Sequence, residues 1–324
     1  MPSAIRINAP GGPEVMRWEE VAVGDPGPGE ARVRHTAVGV NYIDTYHRSG
    51  LYKLPMPSGL GSEGAGIVEA TGPGVDWVKP GDRVAYCGGP LGSYSEARVM
   101  PAERLVKLPE GISDRSAATL MLKGLTTQYL FRQSYKLKAG ETILFHAAAG
   151  GVGLIACQWA RALGVTMIGT VGSDEKAALA KANGCTHTIV YTRENFVDRV
   201  KELTGGKGVP VVYDGIGKDT FPASLDCLSP RGLFVSYGNA SGPVPPFDIL
   251  LLSAKGSLYV QRPTLVSYAT KREDINAMSG ELFDLVRTGA IVSEPRQTFP
   301  LKDAAEAHKA LQSRGTTGAT ILVP

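Results

Sequence analysis

A chain of 324 residues is longer than one hydrophobic core usually serves, so two domains are expected, each large enough to bury a core of its own. With 43% hydrophobic residues, 20% charged residues and a formal charge of +3 spread along its length, the chain carries no basic run of the kind that binds nucleic acid. No apolar run approaches a membrane span, the start Met1-Pro2-Ser3-Ala4-Ile5-Arg6 lacks the layout of a signal peptide, and Cys87, Cys157, Cys185 and Cys227 stand far apart without C-x-x-C spacing; buried thiols in the cytoplasm are therefore expected.

From residue 1 to about 120, short β-type runs at 31–38, 64–70 and 83–86 are separated by turn signals such as Gly72-Pro73-Gly74 and Lys79-Pro80-Gly81-Asp82, the texture of a strongly bent antiparallel β domain. From 124 to about 260 the texture changes. Strands at 141–147, 166–171, 187–190, 209–213 and 232–237 alternate with helical segments at 151–163, 174–183, 195–204 and 219–228, which predicts βαβ units and a parallel, doubly wound sheet. After Arg262-Pro263 come two amphipathic helices, 271–288 and 301–313, and a last strand at 319–323. This tail is expected to rejoin the first domain, giving a catalytic domain at 1–123 and 264–324, a nucleotide-binding domain inserted at 124–263, and a ligand cleft between the two.

The strongest motif lies at the start of the inserted domain. Glu141-Thr142-Ile143-Leu144-Phe145-His146 runs into Ala148-Ala149-Gly150-Gly151-Val152-Gly153 and then into a helix whose apolar residues Leu154, Ile155, Trp159 and Leu163 recur at helical spacing up to Gly164. Read as A-x-G-x-x-G, the motif puts Ala148 in a tight turn, Gly150 where a Cβ would obstruct a pyrophosphate, and Gly153 where helix and strand must approach closely. Free N–H groups at the helix start, from Gly151 and Val152 onward, then face the phosphates.

A unit of this kind that prefers NAD ends its second strand in a carboxylate about 20 residues past the glycine turn, whereas a 2′-phosphate needs small polar and cationic groups there. Here the strand tip is Gly172-Ser173, with Lys176 one turn into the next helix and Tyr191 available to complete the pocket. Asp174 dissents, but beside a Ser173 cap it reads as favourable charge at a helix N-terminus. NADP(H) is the expected cofactor.

Taken in order, Pro26-Gly27-Pro28-Gly29-Glu30, Gly39-Val40-Asn41-Tyr42-Ile43-Asp44, Gly61-Ser62-Glu63-Gly64, Pro80-Gly81-Asp82-Arg83-Val84, the glycine turn and Gly318-Ala319-Thr320-Ile321-Leu322-Val323-Pro324 resemble the medium-chain dehydrogenase/reductase superfamily, and within it the NADPH:quinone oxidoreductases of the zeta-crystallin group. The resemblance implies an α/β fold: a bent, GroES-like catalytic domain with a Rossmann domain, and a homodimer or homotetramer built through the latter. Zinc enzymes of that superfamily place a cysteine near Asn41 to Asp44 and a histidine where this chain has Ser62. No metal is therefore expected, and His35 and His146 read as structural residues.

By the same resemblance, Asn41 and Tyr46 lie beside the nicotinamide and its ribose, Tyr52 faces the substrate, Thr127 sits near the nicotinamide, and Arg314 reaches the cofactor. Asp44 is a further candidate in this catalytic segment, either as a donor or as the cap of a turn. Tyr42 reads as packing, while Arg48, Gly50 and Lys53 suggest an open loop around Tyr46 and Tyr52. The strand ends carrying Ile216, Tyr237, Gly238, Asn239, Tyr259 and Val260 are expected along the carboxyl edge of the sheet, against the cofactor. The expected activity is metal-free transfer of reducing equivalents from NADPH to a quinone, or to a reactive enone. The alternatives are an enoyl-thioester or alkenal reductase and a non-enzymatic, crystallin-like or RNA-associated protein that holds NADPH; the missing basic stripe argues against nucleic acid.

Overall fold

The structure, a computed structural model, describes residues 1–324. Its internal contacts divide the chain into two compact units, one of Met1–Leu125 with Tyr268–Pro324 and one of Thr126–Ser267. No helix is long and apolar enough to cross a membrane.

In the first unit, the strand Glu30–Val40 organises the larger sheet. It pairs antiparallel with Ala319–Val323, with Glu63–Thr71 and with Ala97–Pro101. Serving three neighbours requires it to bend, and register shifts against Glu63–Thr71 at Arg32/Val33 and His35/Ala37 supply the bends. Pro295–Pro300 extends one end of this sheet; Arg83–Cys87 and then Val106–Lys107 extend the other. A second sheet of three strands holds Ser3–Ile7 between Arg17–Glu20 and Ser58–Gly59. Val33, Val68, Val84, Tyr86 and Met100 form one core, while Ile5, Ile7, Val38, Leu60, Tyr94, Leu301 and Leu322 form another. Helix Tyr42–Ser49 begins directly after Val40 and stops at Gly50, whose φ of 82° few other residues adopt.

The second unit holds a six-stranded sheet, paired in parallel throughout, in the order His187–Val190, Thr166–Val171, Thr142–Phe145, Val209–Asp214, Leu228–Ser236, Tyr259–Gln261. Numbered from Thr142–Phe145, this is the 3-2-1-4-5-6 order of a dinucleotide fold, with its switch point at the first strand. Leu144, Ile168, Val212, Leu225 and Phe234 fill a fully buried core on the sheet.

Two elements differ from the sequence expectation. The segment 219–228 is a short 3-10 helix, Ala223–Cys227, which follows Pro222, and a proline disfavours α geometry at the residue before it, Phe221. The segment 301–313 begins as a 3-10 turn, Leu301–Asp303, before helix Ala304–Gln312.

Candidate functional site

In the second unit, strand Thr142–Phe145 ends at His146 and the chain reverses at Ala147, which takes a φ of 58°. The Ala147 carbonyl accepts from Gly150 N–H at 2.9 Å, and Ala148, inside this turn, donates to the Thr170 carbonyl at 3.0 Å. Helix Gly151–Ala162 starts at once. A Cβ on Gly153 would stand 2.3 Å from the Ala147 oxygen and 2.6 Å from the Ala148 carbonyl carbon, so glycine is required for the helix to rise this close to the strand. The first N–H groups of that helix lack intrahelical acceptors and form a cradle for an anion.

Beneath the turn, His146 is held between the hydroxyls of Thr170 and Ser224, each at 2.9 Å, and burial lowers its pKa. Asp214 ends the next strand and accepts from Ile216 N–H at 2.6 Å and Gly217 N–H at 3.0 Å. Tyr237 N–H bonds the Asp214 carbonyl at 2.8 Å, and a Cβ on Gly238 would meet the Gly215 oxygen at 2.6 Å. Ala148, Gly150 to Gly153, Ile216, Tyr237, Gly238 and Asn239 thus share the carboxyl edge of the sheet. Thr127 is fully buried in helix Asp114–Tyr129.

Tyr259 and Val260 do not share that edge. They open the short outer strand in register with Leu233 and Phe234, well before the neighbouring strand ends at Ser236, and are 61% and 39% exposed. The end of the outer strand is marked instead by Arg262, whose guanidinium bonds the Ser236 carbonyl at 2.7 Å.

At the tip of the second strand, Ser173 caps helix Asp174–Ala182 by accepting from Lys176 N–H at 3.3 Å. A Cβ on Gly172 would lie 2.9 Å from the Tyr191 hydroxyl, which places Tyr191 over the strand tip. Asp174 does occupy the first turn, but its carboxylate is also clamped by both terminal nitrogens of Arg193, at 2.5 and 2.6 Å. Arg193 escaped the sequence reading because this contact spans 19 residues.

The first unit assembles a different kind of site. Asn41 is the N-cap of helix Tyr42–Ser49 and its N–H donates to Asp44 at 2.8 Å. Asp44 is fully buried and also accepts from Tyr94 at 3.0 Å and Ser62 at 3.3 Å. Burial pushes its carboxyl up to about 7, against the opposing pull of these bonds. The Tyr94 oxygen lies 3.0 Å from His308 Nε2, and His308 Nδ1 lies 3.0 Å from Arg48. Because the guanidinium can only donate, the neutral ring accepts at Nδ1 and donates from Nε2, and donation runs from Arg48 through His308 and Tyr94 to Asp44. Burial, with help from Arg48, pushes His308 down to about 3.

Alongside lies Glu63, with no exposed surface. One oxygen accepts from Leu122 N–H at 2.7 Å; the other accepts from Asn41 Nδ2 at 2.8 Å and Lys123 Nζ at 3.0 Å. These residues do not fit a zinc ion: Ser62 offers only a neutral hydroxyl, and an ammonium already neutralises Glu63.

The open loop expected around Tyr46 is absent. Tyr46 stands on the helix, only 8% exposed, with its ring centroid 5.3 Å from that of Tyr52 in an edge-on pair, and Arg48 is buried. Tyr52 is half-buried just beyond the helix. Tyr42 packs as expected, donating to the Leu311 carbonyl at 3.0 Å. Arg314 lies in the turn that ends helix Ala304–Gln312, with a φ of 60°. His35, between the Ser95 carbonyl at 2.6 Å and the Tyr86 hydroxyl at 2.8 Å, is structural.

A bent β unit joined to a parallel 3-2-1-4-5-6 sheet with a glycine turn at its first helix defines a medium-chain dehydrogenase/reductase. Residues 27–110 match the family model of the alcohol dehydrogenase GroES-like domain, and residues 151–282 match that of the zinc-binding dehydrogenases. The chain is 60% identical to a quinone oxidoreductase of Pseudomonas aeruginosa over 100% of both chains. It superposes on Escherichia coli quinone oxidoreductase, solved in complex with NADPH, with a TM-score of 0.98 and 50% identity over 99% of this chain and 100% of that one. A 2-haloacrylate reductase from Burkholderia sp is 49% identical over 100% of this chain and 99% of its own. The chain belongs to the quinone oxidoreductase family, a zinc-free branch of the superfamily.

Proposed function

We propose that this chain transfers reducing equivalents from NADPH to quinones without a metal. The observation that carries the reading is the cradle at Ala147 to Gly153, where a glycine is required at 153 and the first N–H groups of helix Gly151–Ala162 are presented beside it. The 50% identity to an enzyme solved with NADPH supports the same cofactor.

In this reading Ala148, Gly150, Gly151, Val152 and Gly153 receive the pyrophosphate. Gly172, Ser173, Lys176 and Tyr191 receive the 2′-phosphate. Ile216, Tyr237, Gly238, Asn239 and Thr127 are assigned to the nicotinamide half, and Asn41, Tyr46 and Arg314 are further candidate contacts to the cofactor. Bound NADPH supplies the hydride. Tyr52 donates a hydrogen bond to the acceptor oxygen that gains charge, and Asp44 fixes the helix start that carries Asn41 and Tyr46.

Tyr259 and Val260, exposed on the outer strand of the parallel sheet, are assigned to a homodimer contact through the nucleotide-binding unit. The four buried thiols suit a reducing compartment, and we place the protein in the cytoplasm. The 49% identity to a 2-haloacrylate reductase favours a second reading, reduction of an activated alkene by the same hydride chemistry.

NADPH oxidation measured against quinones, enals, 2-haloacrylates and enoyl thioesters tests both. Fast turnover of quinones supports the first reading; turnover confined to the alkenes replaces it with the second. Titration should show NADPH bound about tenfold or more tightly than NADH, with Lys176→Ala narrowing the gap, because one charge-assisted contact to a phosphate is worth about that much. Equal affinities would sink the cofactor assignment.

A further inference from the structure

The pocket proposed for the 2′-phosphate contains a contradiction. Asp174 stands in the first turn of the helix whose cap, Ser173, and whose Lys176 are assigned to the phosphate, and a free carboxylate there would repel a dianion. Arg193 removes it. Its two terminal nitrogens grip the two Asp174 oxygens at 2.5 and 2.6 Å, the bidentate geometry that a planar guanidinium makes and an ammonium cannot.

The clamp is aimed by its surroundings. Tyr191 N–H bonds the Val171 carbonyl at 3.1 Å, and the Thr192 hydroxyl bonds the Gly172 carbonyl at 3.4 Å, pinning this segment to the strand tip. The neighbouring acid, Glu194, accepts from Val190 N–H at 2.8 Å and pairs with Arg199 at 3.2 Å, which leaves Arg193 directed at Asp174. This contact holds Asp174 below the usual carboxylate range, and the carboxylate is ionised at neutral pH. The other charges of the helix start are Glu175 and Lys176.

We propose that Arg193 is a specificity-determining residue for NADPH, acting through Asp174: the clamp cancels a carboxylate that would otherwise select against a 2′-phosphate and for a bare ribose. This rests on the NADPH reading above. It also makes the pair a switch for engineering, since releasing Asp174 places an acceptor where an NAD-preferring pocket keeps its carboxylate.

The test is a double-mutant cycle read as dissociation constants for NADPH and NADH, by quenching of protein fluorescence, at low and high salt. Both side chains are largely exposed, so Arg193→Ala, Asp174→Ala and the double variant should fold. Arg193→Ala should lower the NADPH-to-NADH preference about three- to tenfold, less at high salt, while Asp174→Ala should hold or raise it. The double variant should return to within about twofold of the parent, because the charge that Arg193 masks is gone. An unchanged preference in Arg193→Ala overturns the proposal. So does a double variant as weak as Arg193→Ala, which would make Arg193 a direct phosphate contact. A parent protein that prefers NADH would instead overturn the cofactor reading, independently of the cycle.

Discussion

Around Gly150 the chain offers main-chain N–H groups and almost no side chain, whereas around Glu63 and Asp44 it buries two carboxylates, a lysine, an arginine and a histidine in one connected set. The nucleotide region works by subtraction. Its glycines remove Cβ atoms so that backbone can approach backbone and a ligand can approach both. The region around Glu63 and Asp44 works by compensation: each buried charge is tolerable only because a named partner answers it. One region should therefore fail when atoms are added, and the other when a partner is removed.

The largest effect is expected from breaking the buried pair. Lys123→Met leaves Glu63, fully buried, with two N–H donors and no cation, and should destabilise the protein by about 3–5 kcal/mol in urea unfolding. Glu63→Gln in the same background should recover much of that loss, because the uncompensated charge is gone. If Lys123→Met costs little and the second change adds to the damage, compensation is the wrong description of this region.

Adding atoms to the nucleotide region comes next. Gly153→Val places carbon within 2.3 Å of the Ala147 oxygen, a backbone atom that cannot swing aside. Overpacking of this kind costs about 1–3 kcal/mol of stability, and the displaced helix start should cost tenfold or more (~) in NADPH affinity. Titration of a variant that melts cooperatively but binds NADPH normally would show that the approach of helix to strand does not shape the cradle.

Tyr52→Phe keeps the ring against Tyr46 and removes the hydroxyl. It should cost about 1–3 kcal/mol of transition-state stabilisation, roughly tenfold to a hundredfold in kcat/KM, with NADPH affinity nearly unchanged. Easily reduced quinones should show the smaller loss, since they need less polarisation than an enone. Parent-like turnover on every acceptor would leave Tyr52 a packing residue.

The same contrast explains what could be read from the amino-acid sequence. The glycine turn, the Ser173 cap and the alternation of strands and helices are local patterns, and they appear in the structure close to where periodicity puts them. The buried charged network is not local. Glu63 meets Lys123 across 60 residues, Tyr94 meets His308 across 214, and Arg48 meets His308 across 260. None of these contacts has a spacing that periodicity can detect: the cap that Asp44 makes for the helix start is local and legible, but its bond from Tyr94 is not, and Arg48 reads as the mark of an open loop. A lysine and a glutamate in runs otherwise free of charge, Met121-Leu122-Lys123-Gly124-Leu125 and Gly61-Ser62-Glu63-Gly64-Ala65, were the available signal. The placement of Tyr259 and Val260 has another source: a strand of three residues carries too little alternation to show where it starts and stops.

A smaller effect comes from protons. The Asp44 carboxyl is raised from the unfolded value to about 7, so between pH 4 and 7 the folded state holds a proton that the unfolded state releases, and this group alone makes stability rise as pH falls. His35 and His308, lowered to about 4 and about 3, act in the opposite sense below pH 6.5, because the unfolded chain takes up the protons. Asp44→Asn removes one term and leaves the others. Its stability should fall more steeply than the parent's on acidification from pH 6.5 to 4, by about 1 kcal/mol per pH unit in urea titrations. Parallel slopes would mean that Asp44 titrates as an ordinary carboxylate.

The smallest expected effect is none at all. Exhaustive treatment with a strong zinc chelator should leave turnover unchanged, and metal analysis should find no stoichiometric zinc. The reason lies in the donor set. Zinc is held by thiolate, imidazole and carboxylate donors, yet Ser62 offers only a neutral hydroxyl, the two Glu63 oxygens are engaged by Asn41, Leu122 N–H and the Lys123 ammonium, and no three His, Cys, Asp or Glu side chains are grouped to hold a metal. Placing a dication beside that ammonium would set two positive charges against each other in a buried region, where little solvent screens them. The ammonium thus supplies the positive charge there, and it cannot be chelated away. One tightly held zinc per chain, lost together with activity, would show that these hydrogen bonds rearrange around a metal and that the compensation seen at Glu63 is not the working state.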